Sequence, residues 1–235
     1  MLNSLSPFAI KEAYNMARVK LLFTSKGEKC PVYAVTSTDA SDGKTINAIN
    51  LAISFAMAGK RTLIIDGDMR NPSINKYFQV PRENGLSEVL AQITSEINIQ
   101  ESGQENLYFV SAGEIPPNPS ELIGSEMLES VLACLTEQFD YIFIDTPPVG
   151  LVSDAAFLAE KVTGYLLVVR SGYSDLSAVR HSVDTLQNLN GNIVGFLLND
   201  VSGKGNGYYR RNGYRYSYNY SYGEATETDE QEADH

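Results

Sequence analysis

The chain has 235 residues, 43% of them hydrophobic, with 18 Lys and Arg against 29 Asp and Glu and a formal net charge of −11. That length suits one compact α/β unit with an appendage, and the negative charge argues against broad binding to duplex DNA, so no nucleic-acid partner is expected. The sequence lacks both a long uninterrupted apolar run and the early basic patch and apolar stretch of a secretion signal, which points to a cytoplasmic protein. Two cysteines, Cys30 and Cys134, cannot form a disulfide scaffold, and both read as buried free thiols.

In chain order, residues 1–28 read as an N-terminal helix in which Ala13, Ala17 and Leu21 pack inward while the charges are solvated. From 29 to 200, short apolar runs alternate with helix-like segments, as βαβ units do. Strands are expected at 32–37, 62–68, 107–112, 141–145, 164–169 and 193–199. Helices are expected at 44–58, 120–138, 153–160 and 175–190, with start signals at Ser120, Ser153 and Asp175. Most strands are apolar almost throughout, as burial on both faces requires, so the fold class is α/β with a doubly wound, mostly parallel sheet.

Periodicity stops at Val201. Residues 201–235 contain no Leu, Ile, Phe or Met, yet they hold Tyr208, Tyr209, Tyr214, Tyr216, Tyr218, Tyr220 and Tyr222, half of the 14 tyrosines. Such a segment has too little to bury to offset its ordering entropy and reads as a flexible, disordered tail. Glu224, Glu227, Asp229, Glu230, Glu232 and Asp234 make its end acidic.

The strand VYAVTS runs into TDASDGKTINAINLA, so Gly43-Lys44-Thr45 falls where a strand gives way to a helix. There the N–H groups of Asp42, Gly43, Lys44 and Thr45 would converge on a phosphate, the Lys44 ammonium would reach the β- and γ-phosphates, and the Thr45 hydroxyl would ligate Mg²⁺. The usual first glycine of a phosphate loop is Thr38 here. LIIDGDMR puts Asp66 and Asp68, and YIFIDTPP puts Asp145, at the carboxyl edge of the same sheet, where doubly wound folds bind ligands. Singly, each is an ordinary turn acid. Together with Lys44 they form a coherent set in which Lys44 and Mg²⁺ neutralise charge on a transferred phosphoryl group, Asp145 holds a water of the metal shell, and Asp66 or Asp68 orients or deprotonates a hydroxyl. This specifies nucleotide hydrolysis or phosphoryl transfer and leaves the acceptor open.

SDGKT, LIIDGDMRNPSINKYF, GEIPPNPSELI, YIFIDTPPVGLVSDA, VVRSGYSDLSAV and GFLLND, followed by the tyrosine cluster, resemble the bacterial tyrosine kinases of capsule and exopolysaccharide synthesis, in their separate cytoplasmic kinase form. The resemblance covers nearly the whole chain. It implies a deviant-Walker P-loop NTPase of the MinD/ParA-like superfamily, with an N-terminal element at 1–28, a kinase domain at 29–200 and an autophosphorylation tail at 201–235. It implies ATP and Mg²⁺ as cofactors, with Ser41, Asp42, Gly43, Lys44 and Thr45 on the nucleotide and Asn199 at the adenine. Thr45, Asp68 and Asp145 would face the metal, Asp66 would act as base, and the seven tail tyrosines would accept phosphate. Implied partners are further copies of the chain in a ring-shaped octamer that phosphorylation loosens, the cytoplasmic tail of a membrane polysaccharide co-polymerase that recruits the kinase to the inner face of the plasma membrane, and a phosphotyrosine phosphatase.

Two positions depart from the family pattern. Relatives commonly carry G-E-G-K where this chain has Ser41-Asp42-Gly43-Lys44, and the Glu-Arg-Arg triplet of the family's oligomer-forming helix is Glu12, Asn15 and Arg18. Two other readings compete. A partition- or septum-type switch ATPase needs a lysine five residues before Lys44, where this chain has Asp39. A non-catalytic scaffold with a self-associating tail leaves the Lys44, Thr45, Asp66, Asp68 and Asp145 set unexplained. From Asn199 to Tyr222 a Gly/Ser-like chain spans about 25 Å, enough to visit its own active site or a neighbour's. Each phosphotyrosine would add about −1.5 to −2 charges beside Arg210, Arg211 and Arg215.

Overall fold

The computed structural model describes residues 1–201; the tyrosine segment, including all seven expected acceptors, lies outside the described residues. In chain order the elements are α1 (Phe8–Thr24), β1 (Val32–Ser37), α2 (Lys44–Met57), β2 (Thr62–Asp66), α3 (Ile74–Phe78), α4 (Leu86–Leu90), β3 (Gln100–Glu101) and β4 (Leu107–Val110). There follow α5 (Pro119–Gly124), α6 (Glu126–Thr136), β5 (Tyr141–Asp145), a 3₁₀ segment (Asp154–Leu158), β6 (Gly164–Arg170), α7 (Leu176–Asn188) and β7 (Ile193–Asn199).

The strands form one sheet in the order β3-β4-β2-β5-β1-β6-β7. Every pairing is parallel except the short β3 against β4. Alternation along each central strand feeds two cores. Val32, Ala34, Leu63, Ile65, Ile142 and Ile144 face the layer built from α4 to α7. Tyr33, Val35, Ile64, Tyr141 and Phe143 face α1, α2 and α3. The ring centroid of Phe55 on α2 lies 4.3 Å from that of Tyr141 and 5.3 Å from that of Phe143, so truncating Phe143 to Ala would cost about 3–5 kcal/mol.

The parallel order sends all the carboxyl ends of the central strands to one edge, with Asp66 of β2 in register with Asp145 of β5. That register brings together acids that are 79 positions apart in the chain. Gly67 permits the approach just beyond β2, because a Cβ there would meet the Asp145 carbonyl at 2.9 Å.

Several expectations need correction. Cys30 is buried but Cys134 is exposed, because Cys134 falls on the outer face of α6 between inward-facing Leu128, Val131, Leu132 and Leu135. The helix expected at 120–138 is two helices broken at Ser125, whose extended backbone ends α5 and starts α6. It starts at Pro119 after Asn118, whose side chain makes no capping bond, and not at Ser120. The segment at 153–160 is a short 3₁₀ turn, and α3, α4 and β3 are too brief for periodicity to reveal. Strands β2 and β4 stop at Asp66 and Val110, short of the expected 68 and 112, where the chain turns into the site loops. On α1, Ala17 and Leu21 pack inward as expected, but Ala13 is exposed and Arg18 is not merely solvated: it donates to the Ser54 carbonyl and hydroxyl on α2, at 2.6 and 2.9 Å. Strand β7 reads as apolar as its neighbours, yet as a sheet edge it leaves Phe196 and Leu198 about half exposed.

Candidate active site

The loop between β1 and α2 turns on two left-handed residues, Ser41 at φ +67° and Gly43 at φ +93°. Gly43 has a second reason to lack a side chain, since a Cβ there would meet Asn199 Nδ2 at 2.1 Å. Ser41 occupies, with a Cβ, a conformation that glycine adopts freely, at a penalty of about 1 kcal/mol. No side chain caps α2, so the N–H groups of its first turn and the positive end of its dipole are left for an anion.

Lys44 Nζ donates to Asp68 Oδ2 at 2.9 Å and to Asp145 Oδ1 at 3.5 Å. The Thr45 hydroxyl donates to Asp145 Oδ2 at 2.6 Å and receives the Ser73 hydroxyl at 3.2 Å. Asp66 lies behind Asp68: its Oδ2 accepts from the N–H groups of Ser73 and Ile74 at 3.0 and 2.9 Å, while its Oδ1 receives only a long 3.3 Å contact from the Asp68 N–H. Asp66 thus closes the N-terminal end of α3 as well as belonging to the acidic set. Asp68 faces the cleft and accepts the Asn71 N–H at 3.0 Å.

One lysine among three buried acids leaves negative charge in excess. Burial first, and Asp145 second, push the Asp66 carboxyl up to about 7. Burial raises Asp145 to about 6, against the opposing pull of Lys44 and the Thr45 hydroxyl. Burial alone would lower the Lys44 ammonium, but Asp145 and Asp68 hold it above its ordinary value. An under-neutralised cluster of hard oxygen donors beside an uncapped helix is chemically suited to a hydrated divalent cation bound with phosphates, so Thr45, Asp68 and Asp145 fit the Mg²⁺ role expected of them.

The cleft is about 490 Å³ and is lined by Ser41, Gly43, Lys44, Thr45 and Asp68 on one side and by Arg70, Tyr77, Leu151 and Val152 on the other. Asp42 enters it differently from expectation. Its carboxylate is buried, accepting from the Asp39 N–H at 3.0 Å and the Ser174 hydroxyl at 3.1 Å, so it braces the loop. Asn199 donates Nδ2 to the Asp42 carbonyl at 2.8 Å and is a second brace.

Sequence reading missed a relay from α1 into the loop. Asn50 donates to the Tyr14 hydroxyl, Tyr14 donates to Asn47, and Asn47 donates to the Gly43 carbonyl, at 3.0, 3.0 and 2.9 Å. It also missed a clasp at the cleft rim, where Arg70 Nε and Nη2 grip the buried Asp154 at 2.7 and 2.9 Å and Ser120 joins both. The only hint was an apolar helix face interrupted by Asn47 and Asn50, and polar residues at starts of turns.

A parallel sheet with an uncapped helix, a lysine and strand-end acids at its carboxyl edge defines a nucleotide-binding P-loop domain, and the family profile described as an AAA domain matches residues 32–193. Within that class the relatives are specific. The chain is 35% identical over 202 residues to the putative tyrosine-protein kinase CapB of Staphylococcus aureus, covering 85% of this chain and 89% of that one. It is 36% identical over 178 residues to the tyrosine-protein kinase CpsD of Streptococcus pneumoniae, covering 74% and 78%. Among solved structures, the kinase domain of Escherichia coli tyrosine kinase ETK superposes with a TM-score of 0.78 at 32% identity over 84% of this chain and 79% of that one. The chimerical protein CapA2B2 gives 0.76 at 32% over 83% and 85%. The septum site-determining protein MinD of Pyrococcus horikoshii, with Mg-ADP, is more distant, at 0.61 and 25% over 72% and 70%. The chain belongs to the bacterial tyrosine-protein kinases of the CapB and CpsD type.

Proposed function

We propose that the kinase transfers the γ-phosphoryl group of ATP to Tyr208, Tyr209, Tyr214, Tyr216, Tyr218, Tyr220 and Tyr222 of its own kind of chain, between subunits. The observation that carries this reading is the convergence of Lys44, Thr45, Asp68 and Asp145 on the uncapped end of α2, in a chain that keeps half its tyrosines in one segment. In it, the loop N–H groups and Lys44 hold the β- and γ-phosphates, Asp42 and Asn199 keep the loop in shape, and the free edge of Asn199 meets the base. Mg²⁺ supplies charge neutralisation at the transferred group, held through Thr45, Asp68 and Asp145. Asp66 takes the phenolic proton. Its raised carboxyl suits a base at neutral pH, and Oδ1 is the oxygen least engaged by backbone N–H groups.

The same reading makes α1 an oligomerisation element. Phe8, Met16, Val19, Leu22 and Phe23 are exposed on it, a face more apolar than a solvated helix needs. Asn15 bonds to Glu12 at 2.9 Å and Arg18 is committed to α2, so ring contacts here rest on that apolar face more than on the charged triplet. Among the described residues no helix is long and apolar enough to cross a membrane. The same reading places work at the inner face of the plasma membrane with a membrane-spanning activator, capsular or exopolysaccharide synthesis as the regulated process and a phosphatase to reset the tyrosines.

The test is incubation of the purified chain with Mg·ATP, followed by mass spectrometry of the C-terminal peptide. Phosphotyrosine that disappears in Lys44→Met is expected; unmodified tyrosines in the wild type would overturn the reading. Mixing Lys44→Met chains with active chains truncated after Val201 then separates routes. Labelling of the Lys44→Met tail is expected for transfer between subunits, and no labelling would remove that part.

A further inference from the structure

The cleft is asymmetric about the phosphate loop. The loop follows β1; Asn199 ends β7, two strands away on one side, while Arg70 and Tyr77 follow β2, two strands away on the other. With the base on the Asn199 side, in-line displacement puts the acceptor oxygen opposite the departing ADP oxygen, toward the ends of β2 and β5. That wall is built unlike the loop side. It presents Tyr77, Pro147, Pro148, Leu151 and Val152, an apolar set with Arg70 among them.

Arg70 is fixed there. Asp154 is 1% exposed and engages the guanidinium side-on through two oxygens, and Ser120 locks both partners. Nη1 carries no hydrogen bond among the described residues, and the side chain remains 42% exposed, so one edge of the fork is held and the other is open to the cleft. Lys44, the other cation of the cleft, is already engaged by Asp68 and Asp145.

We propose that this wall seats the acceptor tyrosyl side chain, and that the open edge of Arg70 binds the phosphate of the phosphotyrosine product, with Asp154 and Ser120 as positioning residues. The inference rests on the kinase reading and on the base lying at Asn199. The phenol stacks against the apolar surface with its oxygen toward the γ-phosphorus. A phenolic O–P bond forms as the bond from the γ-phosphorus to the β,γ-bridging oxygen breaks. ADP leaves with that electron pair, and the phenolic proton passes to the Asp66 carboxylate. A neutral side chain thus becomes an anion of about −1.5 to −2 beside three acids, and Arg70 is the fixed cation placed to offset it.

The experiment uses the full chain, a synthetic peptide of residues 208–222 as acceptor, and ATP. Arg70→Met is expected to raise the peptide KM roughly tenfold, to weaken inhibition by free O-phosphotyrosine to a similar degree, and to move the ATP KM less than about twofold. Arg70→Lys should recover part of the phosphotyrosine inhibition, because it keeps the charge and loses the fork. Tyr77→Ala leaves the Asp154 clasp intact and should raise the peptide KM about threefold. A rise in ATP KM as large as that for the peptide would assign Arg70 to the nucleotide and overturn the proposal. So would unchanged peptide KM and unchanged phosphotyrosine inhibition in both Arg70→Met and Tyr77→Ala. A wild-type chain that leaves the peptide unmodified would instead overturn the kinase-on-tail reading, and this inference with it.

Discussion

Asp66 and Asp145 in the phosphate cleft, and Asp154 at its rim, are all at most 1% exposed, yet their carboxyls move in opposite directions. The cleft pair is raised, to about 7 and about 6, by burial first; Asp145 adds to the rise at Asp66, and at Asp145 burial outweighs the opposing pull of Lys44 and the Thr45 hydroxyl. At the rim, burial also opposes the charge of Asp154, but hydrogen bonds from Arg70 and Ser120 outweigh it and hold the carboxyl below its usual range. The difference is one of counter-charge and also of depth, since Asp154 is shielded from solvent yet lies nearer the protein surface and has a cation of its own. A satisfied pair stabilises the fold, whereas an unsatisfied cluster is kept for the ligand that will neutralise it.

The largest effect that would break this contrast is removal of the cation in the cleft. Lys44→Met should lower phosphate transfer about a thousandfold in a labelling assay, since the developing charge loses its fixed partner. Next, Asp66→Asn should lower transfer about a hundredfold yet raise Tm by about 3 °C at pH 8, because Asn still accepts the Ser73 and Ile74 N–H groups without the charge. The sign follows from the raised value. With a folded carboxyl near 7 and an unfolded one near 4, Asp66 contributes stability that is full below about pH 4 and lost as pH rises through 7, so wild type and variant should converge in acid.

Asp154→Asn should do the reverse and lower stability by about 2 kcal/mol at pH 7. Arg70 is 42% exposed and water takes over part of its charge, which keeps the loss below that of a fully buried pair. Asp154 is depressed on folding, so its contribution is present above about pH 4 and lost as pH falls through the folded value; urea unfolding at pH 7 and pH 3 should show the variant's deficit shrink. The smallest effect is expected at Ser41→Gly, which relieves the left-handed φ of +67°. Folding stability should change by less than about 1 kcal/mol, and the nucleotide Kd, read by calorimetry, should improve by less than about fivefold.

Much of the cleft was legible because its residues sit at strand ends, and strands buried on both faces announce themselves as apolar runs. Lys44, Thr45, Asp66, Asp68 and Asp145 needed only the rule that parallel strands share a carboxyl edge. Ser41 was legible as a departure, and its positive φ shows where the departure falls. The braces were not legible. Asn199 reaches the Asp42 carbonyl across 157 positions and Arg70 reaches Asp154 across 84, and no local pattern encodes such pairs. Short elements escaped for a related reason: α3 and α4 have five residues each, fewer than two helical turns, so no periodicity accumulates.

By itself the sequence determined the strand-and-helix alternation, the lysine and acids at strand ends, and the tyrosine-rich segment, since each depends on residue type and short-range spacing. Tertiary structure alone decided how the acids are charged. Whether a buried carboxylate is raised, as Asp145 is with Lys44 at 3.5 Å, or depressed, as Asp154 is with Arg70 at 2.7 Å, depends on burial and on the cation the fold brings to it, and that neighbour comes from a different strand or turn.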